Sequence, residues 1–178
     1  MFHFCPSCAS PQIQFEGNTR FRCPSCGFVY YHNIAAATGC IIDTDEGILL
    51  LVRAKEPAQG KLDLPGGFVS LGEGVVEGLR RECQEEIGWD PGLHFSFFAS
   101  FPNTYPYWGI LYNTCDLFFT LNAPGLHRAD LHLEREEIEG IRFIKPSELL
   151  MEDLAFDSTR RVMQAFLAAY YPQGPEGL

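Results

Sequence analysis

Two stretches of the sequence carry hydrophobic patterns that predict its main secondary structure. Residues 35–42 and 48–53 are almost continuously apolar and flank a turn at 43–47, which predicts two paired strands with mostly buried faces. From residue 75 to 87, apolar positions recur at helical spacing, and Gly88 provides a stop signal. The pattern therefore predicts a strand pair followed by an amphipathic helix.

The rest of the chain continues this mixture of strands and helices. Further strands are predicted at 93–101, 111–121 and 140–144, and a short helical turn follows at 146–148. A closing amphipathic helix is predicted over 157–170, with a cap near its first residues. Strands and helices around one core indicate an α/β or α+β domain.

Composition limits the class of protein. The chain has 178 residues, of which 46% are apolar and 20% charged, which suits one compact domain with a small appendage. Its 13 Lys and Arg against 23 Asp and Glu give a net charge of −10, which argues against a nucleic acid partner. The longest nearly apolar stretch, residues 95–101, is too short to span a bilayer, and the N-terminus does not resemble a secretion signal. We therefore expect no membrane partner and a cytoplasmic location.

The first 33 residues differ from the rest of the chain. They contain one acidic residue and two arginines, so the acidic excess lies downstream. Two Cys-Pro-Ser-Cys motifs are separated by 14 residues, within which a hairpin is predicted around Gly17-Asn18. A segment this small buries little hydrophobic core, so its fold needs a cross-link such as a disulfide or a structural metal ion. We predict a small zinc ribbon at residues 1–33, ahead of a second domain at residues 34–178.

Two CxxC pairs offer four thiolates to one metal ion. Thiolate ligands in tetrahedral geometry favour Zn²⁺, and four of them fill its coordination shell, which indicates a structural site. Redox-active or disulfide-forming CxxC pairs are the alternative. The predicted ligands are Cys5, Cys8, Cys23 and Cys26. The remaining cysteines lie in apolar segments and are predicted to be small core residues: Cys40, Cys83 and Cys115.

The predicted helix at 75–87 carries three carboxylates on one face. Glu82, Glu85 and Glu86 are spaced i, i+3 and i+4, so their charges repel unless a cation neutralises them. Oxygen ligands favour Mg²⁺ or Mn²⁺. A solvated acidic face is the alternative interpretation of the same spacing.

The stretch around this helix resembles the signature of the Nudix hydrolase family. Gly67 is followed after five residues by Glu73, after seven more by Arg81-Glu82, and then by Glu85-Glu86 and Gly88. The resemblance implies the Nudix α/β/α sandwich with a mixed sheet. It also implies Mg²⁺-dependent cleavage of a nucleoside diphosphate linked to another group.

The resemblance also implies roles for individual residues. Glu82, Glu85 and Glu86 correspond to the metal ligands, and one of them activates the attacking water. The carbonyl of Gly66 corresponds to a backbone ligand, and Glu73 and Arg81 to a buried ion pair that holds the loop onto the helix. A further loop carboxylate is expected, for which Glu137 is the choice among its acidic neighbours Glu134, Glu136 and Glu139. A solvated acidic loop is the alternative there.

An aromatic and proline-rich segment follows the helix. A zinc ribbon ahead of a Nudix domain resembles the NADH pyrophosphatase branch and some ADP-ribose or FAD pyrophosphatases, although this segment shares only part of the NADH signature. It forms either a wall on which a base stacks or a corner that packs the sheet. The candidate substrate-binding residues are Phe101, Tyr105, Tyr107 and Trp108.

The expected function is hydrolysis of a small nucleotide of the NADH, ADP-ribose or FAD type. Two alternatives stay open: a non-enzymatic zinc-ribbon module that senses nucleotides or binds protein or nucleic acid, and removal of nucleotide caps from RNA 5′ ends. The stretch from Met151 to Arg161 either closes the base pocket or forms a homodimer contact.

Overall fold

The structure is a computed structural model that describes residues 2–17, 19–107 and 109–172. The chain divides into two compact units, a small one built mainly on residues up to Ile34 and a larger one that begins at Ala35. The predicted turn residue Asn18 and the predicted substrate-binding residue Trp108 lie outside the described residues. None of the helices described is long and apolar enough to cross a membrane.

The small unit combines a three-stranded antiparallel sheet with two cysteine turns. Its strands are β1 (Gln14–Glu16), β2 (Arg20–Arg22) and β3 (Val29–Tyr31). The carbonyl of Cys5 accepts a hydrogen bond from Ala9, and the carbonyl of Cys23 accepts one from Gly27, each at 2.8 Å. Ala9 and Gly27 both have positive φ, 57° and 79°, so the two CxxC turns share one conformation.

The larger unit is built on a mixed sheet. Its strands are β4 (Ala35–Thr44), β5 (Gly47–Arg53), β6 (Leu62–Asp63), β7 (Gly66–Phe68), β8 (Ser96–Tyr107), β9 (Ile110–Asn122) and β10 (Ile138–Ile144). The main order is β10-β5-β4-β9-β8, with β6 beside β5 and β7 beside β4. β4 pairs with β5 in the antiparallel sense and with β9 in the parallel sense, so the predicted mixed sheet is confirmed.

Two helices cover the two faces of this sheet. Helix α1 (Val75–Ile87) packs on one face and α2 (Asp157–Tyr170) on the other. Successive residues of β4 and β5 point to opposite faces, so Ile42 and Leu49 pack with α1 while Ile41 and Leu50 pack with α2. Strands buried on both sides need apolar residues at every position, which explains their unbroken apolar runs. The three layers confirm the predicted α/β/α sandwich.

The sequence patterns located both helices but not the length of β8. The predicted strand at 93–101 is observed at 96–107, through Pro102 and Pro106. β8 lies at the edge of the sheet, where a proline is tolerated because half of the N–H groups have no neighbouring strand. Cys40 and Cys83 are buried core residues as predicted, and Cys115 is half-buried on β9.

Candidate active site

Two consecutive glycines bring helix α1 against the sheet. β7 pairs with β4, and Gly66 there has a φ of +146°, which side chains rarely adopt. A Cβ on Gly66 would lie 2.1 Å from the carbonyl oxygen of Thr38, and one on Gly67 would lie 2.6 Å from Oε1 of Glu82. The absence of side chains at these positions therefore allows Glu82 to sit directly beside β7.

The three glutamates on one face of α1 have different surroundings. Glu86 is buried, and its Oε2 accepts a hydrogen bond of 2.9 Å from the backbone N–H of Gly66. The Glu82 side chain is 14% exposed, whereas the Glu85 side chain is 57% exposed. Of the three, Glu82 and Glu86 line a cavity of the larger unit. The residue Gly66, whose carbonyl was the expected ligand, thus contacts Glu86 through its N–H.

Arg81 connects the loop before α1 to the helix itself. Its Nε and Nη2 donate to the two carboxylate oxygens of Glu73 at 3.1 and 2.7 Å, and Nη2 also donates to the Phe68 carbonyl at 3.1 Å. Its Nη1 donates to Glu82 at 2.9 Å and to Glu85 at 2.8 Å. The hydrogen bonds that Arg81 donates to Glu73 lower the pKa of Glu73 to about 2. The Arg81 side chain is 30% exposed, so the pair is half-buried rather than buried.

The surroundings of Glu82 and Glu86 disfavour the ionised forms of both carboxyl groups. Burial raises the pKa of Glu82; Arg81 opposes this, while Glu85 and Glu137 add to it. Burial also raises the pKa of Glu86 well above its ordinary value, and Glu82, Asp63 and Glu137 reinforce the shift. A divalent cation among these oxygens would instead favour the ionised carboxylates.

A loop carboxylate reaches the same cavity. Glu137 lines the cavity, and its Oε1 lies 3.7 Å from Nζ of Lys55. Its backbone carbonyl accepts a hydrogen bond of 2.8 Å from Ala54, which holds the loop beside the end of β5. Glu134 is engaged elsewhere, since its carboxylate accepts the N–H of Glu137 at 2.9 Å. Of the four acidic candidates in this loop, Glu137 is the one in the cavity lining.

Aromatic side chains also line this cavity. It has a volume of about 680 Å³, within the usual range for small-molecule sites. Phe68, Tyr105 and Phe156 line it, with ring centroids 5.4 Å apart for Phe68 and Tyr105 and 5.6 Å apart for Tyr105 and Phe156. Tyr107 also lines it and is half exposed. Phe101 does not line it, because it packs against Phe118 and lies under the Arg161 guanidinium at 4.5 Å.

The four cysteines of the small unit form a separate candidate metal site. Their sulfurs all lie within 4.8 Å of one another, and the Cys5–Cys26 and Cys8–Cys23 Sγ pairs are each 3.7 Å apart. A tetrahedral Zn²⁺ with Zn–S bonds of about 2.3 Å requires sulfurs about 3.8 Å apart, so the spacing fits zinc.

The thiols of this cluster hold their protons unequally. Burial acts to raise the pKa of Cys23, but the N–H groups of Cys26 and Ser25 and the neighbouring thiols lower it to about 6. For Cys8, the N–H of Ser10 acts to lower the pKa, yet Cys26, burial and the other thiols raise it to about 12. Four sulfurs this close do not all ionise without a cation among them.

Comparison with known proteins settles the family. The NUDIX domain model matches residues 33–166. The chain belongs to the NUDIX family. This NUDIX chain is 28% identical over 169 residues to the NAD-capped RNA hydrolase NudC of Deinococcus radiodurans, covering 93% of this chain and 56% of that protein. It is 36% identical over 100 residues to the NudC of Chromobacterium violaceum, covering 56% of this chain and 37% of that protein.

Other relatives of this NUDIX chain have different names. It is 46% identical over 63 residues to the ADP-ribose pyrophosphatase of Methanocaldococcus jannaschii, which covers 35% of this chain and 37% of that protein. The chain spans between about a third and just over half of these three proteins. Among solved structures, a NUDIX hydrolase from Nitrosomonas europaea superposes with a TM-score of 0.69 at 24% identity, covering 98% of this chain and 95% of that one. This likeness supports the NUDIX fold.

Several cavity residues of this NUDIX domain were not predicted from the sequence. Arg53 lies over the Phe156 ring at 4.9 Å, and its Nη1 donates to Asp63 at 3.3 Å. Asp63 is half-buried and also accepts a hydrogen bond of 3.0 Å from Thr159. Burial raises the pKa of Asp63, against the effect of Arg53. The residues that meet here are as many as 106 positions apart, so no local pattern joins them.

Proposed function

We propose that this chain is a Mg²⁺- or Mn²⁺-dependent pyrophosphohydrolase. Its substrate is a nucleoside diphosphate linked to another group, of the NADH, ADP-ribose or FAD type, and its products are a nucleoside monophosphate and a second phosphomonoester. The observation that carries the proposal is one cavity that is lined both by Glu82, Glu86 and Glu137 and by the rings of Tyr105 and Phe156. Such a cavity offers a metal site for the anhydride and a stacking wall for a base.

The glutamates that line the cavity fit a divalent cation. Thr38 Oγ1 is the one buried side-chain N or O atom in the described residues without a hydrogen-bond partner, and Thr38 lines the same cavity. An orphaned hydroxyl beside buried carboxylates suits the water shell of a bound ion. Glu82, Glu85, Glu86 and Glu137 would hold the ion, with Gly66 beside them. When bound, it would spread the charge of the phosphate oxygens and lower the pKa of a water.

The chain itself supplies a base and cations for the phosphates. Water adds to one phosphorus, the bond from that phosphorus to the bridging oxygen breaks, and the departing phosphate takes the electron pair. One of Glu82, Glu85 and Glu86 accepts the proton of the water. Arg53 and Lys55 line the cavity and bring positive charge to it.

The test is a screen of nucleoside diphosphate derivatives with Mg²⁺ or Mn²⁺. We expect NADH, FAD or ADP-ribose to give a nucleoside monophosphate, detected as phosphate release after a phosphatase step. Glu86→Gln should lose at least about 100-fold in kcat. Glu136→Gln, on the exposed loop outside the cavity lining, is the matched control and should keep full activity. Metal-independent turnover, or no cleavage of any compound, would contradict the proposal, and tight nucleotide binding without turnover would favour the sensor alternative.

Removal of nucleotide caps from RNA is a second candidate. It is supported by the names of the relatives, since the NudC proteins above are NAD-capped RNA hydrolases. The net charge of −10 argues against a long RNA-binding path. Comparing kcat/KM for an NAD-capped oligonucleotide with that for free NAD distinguishes the two, and a higher value for the capped RNA would favour this candidate.

We also propose that Cys5, Cys8, Cys23 and Cys26 hold a structural Zn²⁺. The sulfur spacing supports this assignment, and four protein ligands leave no open position for a substrate.

A further inference from the structure

A buried carboxylate that is not among the proposed metal ligands lines the cavity of the larger unit. Asp116 on β9 is 8% exposed and has no cationic partner within the described residues. It accepts three hydrogen bonds, from Asn103 Nδ2 at 2.9 Å, from Thr114 Oγ1 at 2.6 Å and from Ser158 Oγ at 2.6 Å. In all three contacts the partner donates and the Asp116 carboxylate accepts. Asp116 therefore acts as an acceptor for three side chains from β8, β9 and α2.

This arrangement fixes the side-chain amide of Asn103. An ionised carboxylate only accepts hydrogen bonds, so the amide must turn its nitrogen toward Asp116. The flipped amide would place Oδ1 against a carboxylate oxygen, which is repulsive. Thr114 on the same strand and Ser158 on α2 also donate to Asp116 and keep it from following a rotation of Asn103. The orientation of the amide is therefore set by the protein before a ligand binds.

The fixed amide leaves an acceptor for a ligand. Asn103 is half-buried and lines the cavity, and no side chain or backbone group within the described residues donates to its Oδ1. Nδ2 carries a second N–H besides the one given to Asp116. Asn103 can therefore offer an acceptor and a donor side by side. An amino group next to an acceptor complements this pair, which is how asparagine recognises adenine.

Aromatic side chains lie beside this amide. Tyr105 is two residues further along β8, so it shares the face of Asn103, and both line the cavity. The ring centroids of Phe156 and Tyr105 are 5.6 Å apart. Rings in these positions can stack on a flat heterocycle while the amide contacts its edge.

We propose that Asn103 selects substrates whose aromatic ring carries a primary amino or carboxamide group, and that Asp116 is the positioning residue that orients Asn103. The inference rests on the proposed function and adds the substrate class to it. Two ring systems share this chemistry, the 6-amino group of adenine and the carboxamide of nicotinamide.

The test compares three oxidised dinucleotides in the presence of Mg²⁺. NAD carries both groups, the 6-amino group on the purine and the carboxamide on the pyridine. Nicotinamide hypoxanthine dinucleotide lacks the amino group on the purine. Nicotinic acid adenine dinucleotide has a carboxylate in place of the carboxamide on the pyridine. We expect kcat/KM to fall about 10- to 100-fold for one of the two deamino compounds. The compound whose kcat/KM falls identifies the ring that Asn103 contacts. Equal kcat/KM for all three overturns the inference.

Variants then assign the discrimination to residues. Asn103→Ala should bring the ratio of kcat/KM for NAD over the disfavoured compound close to 1, and an unchanged ratio overturns the assignment. Asp116→Asn should lower the same ratio, because the amide can then flip, whereas a purely structural defect would lower kcat/KM for both substrates equally and overturn the positioning role. If Asp116→Asn does not fold, Thr114→Val removes one of the three donors and should lower the ratio in part. Asn113→Ala, an exposed asparagine on the same strand as Asp116, is the control and should keep the wild-type ratio.

A binding measurement separates this inference from the proposed function. Calorimetry compares AMP with IMP, and nicotinamide mononucleotide with nicotinic acid mononucleotide, none of which has an anhydride to cleave. Weaker binding of a deamino compound without cleavage of any dinucleotide supports the amide site and overturns the proposed function. Cleavage without discrimination in either assay overturns the amide site alone.

Discussion

The cysteine cluster and the carboxylate cavity are two candidate metal sites, and they differ in what their donors leave free. In the cluster all four sulfurs lie within 4.8 Å of one another, so an ion there would have four protein ligands. In the cavity Glu82 and Glu86 are inside, while Glu85 and Glu137 are more than half exposed and paired with Arg81 and Lys55. The comparison teaches that a site filled by four protein ligands holds structure, whereas one whose donors line an open cavity leaves room for a substrate.

The largest expected effect is at the closed site. Cys23→Ser should abolish zinc binding and unfold the small unit, because structural zinc supplies about 10–16 kcal/mol of apparent binding free energy in units of this kind. Zinc content and thermal unfolding measure this, and kcat/KM of the proposed hydrolysis should stay near the wild-type value. Cys115→Ser, on β9 and outside the cluster, is the control. Undiminished zinc in Cys23→Ser would break the comparison.

The next effect is at the open site. Glu85→Gln should lower kcat by about 100-fold or more while the protein remains folded, because its exposed carboxylate contributes little to packing. Kinetics and the thermal midpoint give the two measurements, and Gln84→Ala, an exposed neighbour on α1, is the control. Full activity in Glu85→Gln would remove this residue from the site.

A smaller effect is expected where β7 touches α1. Gly67→Ala would place a methyl group 2.6 Å from Oε1 of Glu82 and displace that carboxylate. We expect kcat to fall about 10- to 100-fold, since such displacements disturb the reacting geometry. Gly74→Ala is the control, because its Cβ would come no closer than 3.4 Å to a neighbour at an ordinary φ of −83°. Equal kcat for the two variants would contradict this account.

The smallest effect concerns stability and its pH dependence. Arg81 lowers the pKa of Glu73 to about 2, below the ordinary value of 4.5, so their pairing stabilises the fold above pH 4.5 and is lost as the pH falls toward 2. Glu73→Gln should therefore lower the thermal midpoint at pH 7, with a gap to wild type that closes over this range. Melting curves at several pH values measure it, and Arg80→Ala, which removes an exposed pair with Asp90, is the control with little effect. A gap that is constant with pH would contradict the ionic origin.

The sequence could predict features that depend on neighbouring residues. Helix α1 begins and ends where its apolar spacing and Gly88 place it, because the φ of +64° at Gly88 ends the helix locally. Asp116 and Ser158 could not be paired in advance, because they are 42 residues apart and meet only when α2 covers the sheet. For the same reason the segment 101–107 could not be divided between the core, which takes Phe101, and the cavity, which takes Tyr105.

The two prolines of β8 also affect how one molecule meets another. Pro102 and Pro106 lie four residues apart on the edge strand, so their nitrogens belong to one row of backbone positions, and a proline within a strand takes the row without a neighbouring strand because it has no N–H to donate. That row lacks two of its N–H donors, and a strand from a second molecule would find no continuous ladder to join. An otherwise long and partly apolar edge is thereby protected against strand addition and aggregation, and any homodimer would have to form without extending the sheet through residues 102–106.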